Sequence, residues 1–587
     1  MRWSLDALYE GFDTENFAKD LAACKEMVKK IKDWAEDNLD KEDDAQQKIE
    51  TFLHMENDFL QIFMKLYSFS ELTLSVDAKN ERALQIVEAL ENELTEITEP
   101  QVRFQKWLGA LEDLEKFIGK SKLLQEHQFY LEELRQKNQY LLTENEEIVI
   151  AKMKNTGSNA WTKMQELLTS TLMVDIALEG ENKKLPLPIV RNMAYDSKPE
   201  VRKKAYEAEL KAYEKIDAAS AASLNGIKGE VITLSKLRGY NSPLKKTLID
   251  SRMDEETLEA MMKAIEEKLP TFHRYYQKKA SLLGYTGGLP FYEMFAPMGE
   301  SDMRFSYEEA KKFIIENFGS FSNNLKAFAK KAFENDWIDA EPREGKRGGA
   351  FCANLHSIKE SRILANFTGS LNDVMTLAHE LGHGYHGECL KNESHLNSDY
   401  PMPIAETASI FCETIIKDAA LKRATKEEAL TILESDLSSA GQVIVDIYSR
   451  FLFEKQLFEK REKGSLSLRE LKEIMLWAQK EAYGEGLDHQ WLHPYMWVCK
   501  PHYYSGDYNF YNFPYAFGLL FAKGLYAIYL KEGEGFVEIY DKLLGLTGKQ
   551  NIVDVARIVH VDVRNKEFWL TSLELIEKDI EKFMALK

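Results

Sequence analysis

The chain has 587 residues and carries 96 acidic against 76 basic side chains, which gives a formal net charge of −20. This negative excess argues against nucleic acid and against an anionic membrane surface as partners. The length is sufficient for a large core and for more than one domain.

The N-terminal segment, the longest apolar run and the cysteines predict a reduced, cytoplasmic protein. Residues 1–10 lack the apolar core of a signal peptide. The most apolar run, residues 516–522, is too short to span a bilayer and precedes Lys523. The five cysteines are scattered and form no Cys-x-x-Cys pair. We therefore expect no membrane partner. We also expect a monomer, although no motif specifies the oligomeric state.

Residues 14–340 predict a mainly α protein. Apolar residues recur at three- and four-residue spacing, and breaks are few, near residues 155–157, 185–188, 240–243 and 284–290. We place a domain boundary near Pro188. It separates an N-terminal helical domain, residues 1–188, from residues 189–587, which contain the histidine motif described below.

Residues 341–368 differ in pattern and predict a small sheet. A turn-like, glycine-rich segment at 344–349 precedes two runs suited to strands, 350–355 and 362–367. Such a sheet beside the following helix could offer an edge to an extended peptide. The alternative is a structural hairpin that binds no ligand.

The next helix carries the motif that indicates the chemistry. Ser370 and Asp373 form a Ser-x-x-Asp capping box at its start. Nine residues after Ser370 begins the pentapeptide HELGH, with His379 and His383 four residues apart on one helical face. Two such histidines can bind Zn²⁺, and Glu380 beside them can act as a general base toward water. The pattern is typical of hydrolysis of a peptide bond.

A catalytic zinc usually has three protein ligands. This chain has His386 and Cys389 where the three-histidine form of the motif needs glycine and histidine. The third ligand is therefore expected to be a glutamate from a following helix. Glu388 is rotated by roughly 140° from His383, and Glu393 lies in a polar stretch that predicts a solvated loop.

Glu406 is the best placed of the glutamates. It follows two prolines and precedes small residues, so its helix can approach the HExxH helix closely. Glu413 lies seven residues later on the same face and could hydrogen-bond a ligand histidine. The alternative is that both are surface acids, but the apolar residues around them indicate a mostly buried helix.

These motifs resemble the oligoendopeptidase F branch of the thimet oligopeptidase-like zinc metallopeptidases. The resemblance is most specific over residues 345–520 and rests on these segments: GKRGGAFC (345–352), HELGHGYH (379–386), AETASIFCE (405–413), HYY (502–504) and FYNFPYAFG (510–518). Looser matches at 157–161 and 201–206 extend it over most of the chain. It implies a two-lobed, multi-helical body with one zinc ion per chain deep in a channel, and short unstructured peptides as substrates.

The same resemblance implies which residues stabilise the oxyanion of the tetrahedral intermediate. His502 matches the family's histidine, and Tyr511 and Tyr515 are the best matches to its tyrosines, with Tyr508 third. Dense aromatic segments usually pack a core, but tyrosine hydroxyls and an imidazole N–H can also donate to an oxyanion. Tyr515 is favoured over Tyr511 as the residue that contacts substrate.

The resulting hypothesis is a zinc endopeptidase with His379, His383 and Glu406 as ligands and Glu380 as the base. Two other classes of function stay open. A peptide-binding protein without turnover is disfavoured by the intact Glu380. A zinc carboxypeptidase would need a cation for the substrate's C-terminal carboxylate, and Arg347, Arg362 and Lys500 are all candidates.

Overall fold

A computed structural model describes residues 1–299 and 303–586, and these are mainly helical, which confirms the predicted fold class. The described residues form two compact units, each built from three segments of the chain. The first unit comprises Met1–Leu141, Met303–Ala420 and Ile528–His560, and the second comprises Leu142–Asp302, Leu421–Ala527 and Val561–Lys587. The division predicted at Pro188 falls inside the second unit and stays a prediction. So do the two-lobed shape and the channel.

Helices of the first unit pack around an apolar core, because their apolar residues repeat with helical spacing. The core includes Phe52 and Phe104, whose rings stack with centroids 3.7 Å apart. The helices are Glu15–Asn38, Ala45–Val76, Glu81–Ala110, Leu114–Ile118, Lys122–Glu126, Gln128–Asn138, Tyr307–Phe321, Asn323–Glu334, Leu371–Leu390, Met402–Ala405, Thr407–Leu421, Gly535–Gly545 and Ile552–Arg557.

The predicted small sheet is present in the first unit. Its strand order is Ile338–Asp339, Glu360–Leu364, Phe351–Leu355, so the last of these lies at an edge. The two longer strands form an antiparallel hairpin, and Lys359 occupies the left-handed region at its turn. The second predicted strand, 362–367, is shorter in the structure and begins earlier.

The edge strand Phe351–Leu355 is fixed on both faces because side chains alternate along a strand. Phe351, Ala353 and Leu355 pack against the helical core of the unit. On the other face, Asn354 Nδ2 donates a hydrogen bond to the carbonyl of His383, at 3.1 Å. The core therefore positions the strand, and the strand contacts the HExxH helix directly.

The second unit is also mainly helical. Its helices are Glu144–Lys154, Ser158–Thr171, Leu187–Asn192, Pro199–Tyr213, Asp217–Leu237, Pro243–Asp250, Glu255–Leu282, Lys426–Gly441, Ile447–Arg461, Leu468–Tyr483 and Lys566–Ala585, and the helix Phe513–Glu532 begins in it. A turn of π-helix, Gln442–Asp446, precedes Ile447–Arg461.

One feature of this unit departs from the predicted run of helices. Met173–Leu178 and Glu181–Pro186 form an antiparallel hairpin. Its turn contains Glu179 and Gly180, both with positive φ, a geometry that suits a tight hairpin. Val174 and Ile176 are buried by alternation, a period-2 signal too short to stand out between helices.

The apolar run 516–522 lies within a longer helix than the sequence suggested. Phe513–Glu532 has 20 residues and is long and apolar enough, by length and composition, to cross a membrane. In its most apolar window, however, 67% of the residues are buried inside the protein. That burial is typical of a core helix.

Candidate metal centre

The HExxH helix begins as predicted. Ser370 Oγ accepts a hydrogen bond from the backbone N–H of Asp373, and the Asp373 carboxylate accepts one from the backbone N–H of Ser370, which completes the capping box. The helix runs from Leu371 to Leu390, so the pentapeptide lies in its middle, where helical geometry is most regular. Its two histidines therefore project from one face.

The three predicted ligands converge. His379 Nε2 and His383 Nε2 are 3.1 Å apart, and they lie 3.3 and 3.5 Å from Glu406 Oε2. A tetrahedral zinc with bonds of about 2.05 Å has ligand atoms about 3.3 Å apart. The donor set, two imidazole nitrogens and one carboxylate oxygen, and its spacing both fit Zn²⁺ with a fourth position open. Among the described residues, no other group of metal-ligating side chains meets this spacing.

Glu406 reaches this position because two helices approach very closely. It lies between the short helix Met402–Ala405 and the helix Thr407–Leu421. A Cβ on Gly382 would lie 2.6 Å from the carbonyl oxygen of Ala408 and from Cα of Ser409. Glycine at this position of the motif thus permits backbone contact. Ser409 Oγ then donates to Glu406 Oε2, at 2.8 Å, and fixes the carboxylate.

Glu413 makes the contact that the sequence suggested. Its Oε1 lies 2.6 Å from His379 Nδ1, so it accepts the N–H of that ring and leaves Nε2 for a metal. Asn354 and Ser409 were not identified from the sequence as supports of the site. An asparagine in a strand and a serine in a helix carry no signal of their own without the fold.

The centre combines two histidines with three carboxylates. Burial lowers the pKa of His379, but Glu413, Glu406 and Glu380 outweigh it and raise that pKa to about 9. Burial lowers the pKa of His383 to about 4, against the opposing effect of Glu406. The surrounding carboxylates therefore favour positive charge at His379, which a bound cation would supply in place of the proton, and His383 is held as the neutral ring that can bind a metal.

Glu380 is 6% exposed and directly follows a ligand histidine. Burial raises its pKa to about 7, His379 opposes this, and Glu406 and Glu413 raise it further. A carboxylate with a pKa near neutrality suits proton transfer in both directions. The structure does not place Glu380 in the ligand group.

The glutamates rejected on sequence grounds lie elsewhere. Glu388 pairs with Lys391 at 2.5 Å. Glu393 pairs with Lys549 at 2.6 Å, so it is anchored rather than simply solvated. Neither belongs to the group of convergent ligand atoms.

The predicted oxyanion donors lie together in the second unit. The rings of His502 and Tyr511 are 4.5 Å apart, and the hydroxyls of Tyr511 and Tyr515 are 3.4 Å apart. Burial, with Arg450 and Lys500, lowers the pKa of His502, which favours a neutral ring that can donate one N–H. Tyr508 is 66% exposed, and its ring lies edge-on to that of Tyr511, with the centroids 5.9 Å apart.

The loop that carries Tyr511 is held by a buried ion pair. Lys228 Nζ lies 2.9 Å from Glu454 Oε1 and donates to Asn509 Oδ1 at 2.7 Å. Glu454 accepts from the backbone N–H of Phe510, whose φ is positive. These contacts fix the backbone on the N-terminal side of Tyr511.

The model of Peptidase family M3 matches residues 192–575, more than half of the chain. The chain belongs to peptidase family M3. A second model, Oligopeptidase F, matches residues 111–173, which confirms the branch indicated by the motifs. Members of the family are zinc-dependent in general, in agreement with the His-His-Glu geometry. This M3 peptidase is therefore a metallo-oligopeptidase.

Relatives align over most or all of the chain. Oligopeptidase PepF of Bacillus subtilis is 23% identical over 594 residues, covering 100% of this chain and 87% of the relative. An oligoendopeptidase F homolog of Lactococcus lactis subsp. lactis is 27% identical over 501 residues, covering 82% and 79%. The crystal structure of oligoendopeptidase-F from Enterococcus faecium superposes with a TM-score of 0.71 at 18% identity, covering 97% and 99%. The superposition with the Enterococcus faecium structure shows that the two chains share a fold.

Replacing Glu406 with Ala should remove zinc from the protein, because it deletes one of three convergent ligands. Glu388→Ala and Glu393→Ala are matched controls and should keep stoichiometric zinc. Metal analysis of the purified variants measures this. Full zinc content and full activity in Glu406→Ala would show that the third ligand lies elsewhere.

Gly382→Ala should destabilise the metal centre, since its methyl group would meet backbone that cannot move aside like a flexible side chain. We expect a loss of about 1–3 kcal/mol in unfolding free energy, together with weaker zinc retention. Gly464→Ala is the control, because a Cβ there meets nothing within 4 Å. Equal stability and zinc affinity in both variants would contradict the close approach.

Proposed function

We propose that this M3 peptidase hydrolyses internal bonds of short, unstructured peptides, with one Zn²⁺ per chain held by His379, His383 and Glu406. The observation that carries the proposal is the 3.1–3.5 Å convergence of these three ligand atoms beside Glu380. When bound, zinc supplies Lewis-acid activation of water and of the carbonyl group.

The proton steps belong to Glu380. We propose that it accepts a proton from the attacking water and then delivers it to the amine of the leaving peptide. Its burial beside the ligand histidine supports this role, since a pKa near 7 lets one carboxyl act first as base and then as acid.

His502 and a tyrosine are the proposed donors to the oxyanion. Burial, with Arg450 and Lys500, lowers the pKa of His502 and so favours the neutral ring, and that ring packs on Tyr511. Tyr515 stands in the first turn of its helix with its hydroxyl beside that of Tyr511. We assign Tyr515 as the donor and Tyr511 as its neighbour.

The edge strand Phe351–Leu355 supports the choice of substrate class. An edge can pair with any extended backbone, which gives broad sequence tolerance. A folded domain would first have to unfold at a cost of about 5–15 kcal/mol. We propose that native globular proteins are therefore not cut. We also propose that the enzyme acts as a cytoplasmic monomer and that neither nucleic acid nor a membrane is a partner.

A zinc carboxypeptidase is the second candidate function, and the position of one of its three candidate cations supports it. Arg362 is 2% exposed and is committed to the carbonyls of Ser4 and Ser361. Arg347 is exposed and lies 3.4 Å from Glu71. Lys500, by contrast, lines a cavity.

Product analysis with a peptide blocked at both ends should show internal cleavage. The endopeptidase needs neither terminus, whereas a carboxypeptidase needs a free C-terminus and a binding protein releases nothing. Mass spectrometry of the products separates these three functions. Cleavage confined to peptides with a free C-terminus would replace the proposal with the carboxypeptidase.

Glu380→Ala should abolish hydrolysis while zinc stays stoichiometric, because Glu380 is a base and not a ligand. Metal content and peptide turnover are measured on the same preparation. A zinc-free variant would mean that Glu380 had been wrongly excluded from the ligand set.

His502→Ala and Tyr515→Phe should each keep zinc and lower kcat by about 10²–10³, the usual effect of losing one oxyanion donor. KM should change less, because these bonds strengthen mainly in the transition state. Tyr511→Phe is the matched control. A large loss there with little loss at Tyr515 would exchange the two tyrosines.

A further inference from the structure

The first unit contains a cavity of about 440 Å³, within the range of small-ligand sites. One wall is a face of the helix Ala45–Val76, made by residues four apart in sequence, Leu60, Met64 and Ser68. The other walls come from the end of the edge strand with the turn after it, 354–361, the end of the HExxH helix, 387–391, and the segment 395–400. The cavity and the three metal ligands therefore belong to the same compact unit.

The edge strand leads to this cavity. Asn354 and Leu355, the last two residues of the strand, both line the cavity. Beyond Leu355 the chain turns back into the strand Glu360–Leu364, which pairs with the edge strand on the side away from its free edge. A peptide paired with the free edge would continue straight past that turn, so its next residues would lie at the cavity.

The HExxH helix relates the cavity to the metal centre. Burial and the nearby Glu380 carboxylate raise the pKa of the Cys352 thiol, and Asn354 contacts the His383 carbonyl. Strand and helix therefore run in the same direction toward the cavity. At 1.5 Å per residue, residues 387–391 lie about 9–15 Å past the midpoint of the two ligand histidines, a distance that an extended peptide spans in about three to five residues.

The charged side chains of the cavity wall are paired or exposed. Glu388 pairs with Lys391 at 2.5 Å, and Glu360 pairs with the buried Arg362 at 2.9 Å. Two further charged residues of the wall are exposed to solvent, Lys359 and Asp399. The charges of the wall are therefore compensated by each other or by water.

Two histidines of the wall are uncharged at neutral pH. His356 Nε2 lies 2.8 Å from the Glu393 carbonyl, and His395 Nε2 lies 2.8 Å from Gln61 Oε1. Burial lowers the pKa of both rings, that of His395 to about 4. Each ring can then donate its Nε2–H to its oxygen partner. The wall therefore offers little net charge to a ligand.

Apolar side chains from three elements form the rest of the wall, namely Leu60, Met64, Leu355 and Leu390. Leu355 and Leu390 are buried, whereas Met64 is 36% exposed. A ligand that covers an exposed apolar side chain removes it from water, which is favourable. An apolar ligand group is therefore favoured over a charged one.

We propose that this cavity binds an apolar side chain of the peptide substrate, about three to five residues on the N-terminal side of the scissile bond. The inference rests on the proposed function and adds a specificity determinant to it. The N-terminal side follows from antiparallel pairing, the more stable arrangement of two strands, because the cavity lies at the C-terminal end of the edge strand. Met64 is then a specificity-determining residue.

The test uses blocked peptides that share a scissile bond and carry leucine, serine or aspartate at one of those positions. Where the position reaches the cavity, we expect kcat/KM to be about 10- to 100-fold higher for leucine than for serine or aspartate, the usual worth of burying one such side chain. Mass spectrometry checks that the same bond is cut in every peptide.

Met64→Asp should remove most of the leucine preference and change kcat/KM for the serine peptide little. Leu84→Asp is the matched control and should keep the preference. Leu84 is a 49% exposed apolar residue on the helix Glu81–Ala110 of the same unit, and it lies outside the cavity wall.

A charge of opposite sign separates recognition from a general defect. Met64→Lys should raise the ratio of kcat/KM for aspartate to that for leucine by about 10-fold or more, because the new cation attracts the substrate carboxylate. Damage to the fold would lower all values together and leave this ratio unchanged. Thermal unfolding and zinc content are measured on each variant, and if Met64→Asp does not fold, Met64→Lys decides.

Equal kcat/KM for the three residues at every position, or a leucine preference that survives both Met64 substitutions, would overturn the cavity as a substrate site while leaving the endopeptidase intact. No cleavage of any of the peptides by zinc-loaded protein would instead refute the proposed function, and the inference with it.

Discussion

The backbone contact between two helices at Gly382 is the constraint on which the metal centre depends. A helix can present two histidines on one face by itself, but a third ligand must arrive from another element. Here the carboxylate of Glu406 comes within 3.5 Å of both imidazoles. This distance is reached because Gly382 lets the Ala408–Ser409 backbone approach where any side chain would intrude. The wildcard positions of an HExxH motif are therefore not structurally neutral.

Excess negative charge is the second property of the centre. Three glutamates and two histidines share a half-buried site, and one of those glutamates, Glu380, is largely buried. Such a cluster is unfavourable without a cation, because burial penalises each carboxylate and their mutual repulsion adds to the cost. The three glutamates differ in role because they differ in position. Glu406 faces both Nε2 atoms, Glu413 holds the far side of one ring, and Glu380 stays outside the ligand set.

Sequence reasoning succeeded for features that follow short, local sequence patterns. The capping box, the i, i+4 histidines and the glutamate on the next helix all follow local rules, and the structure brings these residues together. It failed where the determining contact is distant in sequence. Asn354 reaches the His383 carbonyl across 29 positions, and the Glu179–Gly180 hairpin was hidden in a helical region. The division at Pro188 stays a prediction, and each compact unit of the structure draws on three separated segments of the chain.

The short edge strand has a consequence for solubility. An unpaired strand edge is a template for any extended chain, including a second copy of the same protein, so it invites self-association. Phe351–Leu355 has only 5 residues, with Gly349 in the left-handed region just before it and a turn at Lys359 beyond it. Both limit how far a foreign strand can extend the ladder. An edge of this length suits transient pairing with a short peptide. It is too short to support the growth of a continuous intermolecular sheet.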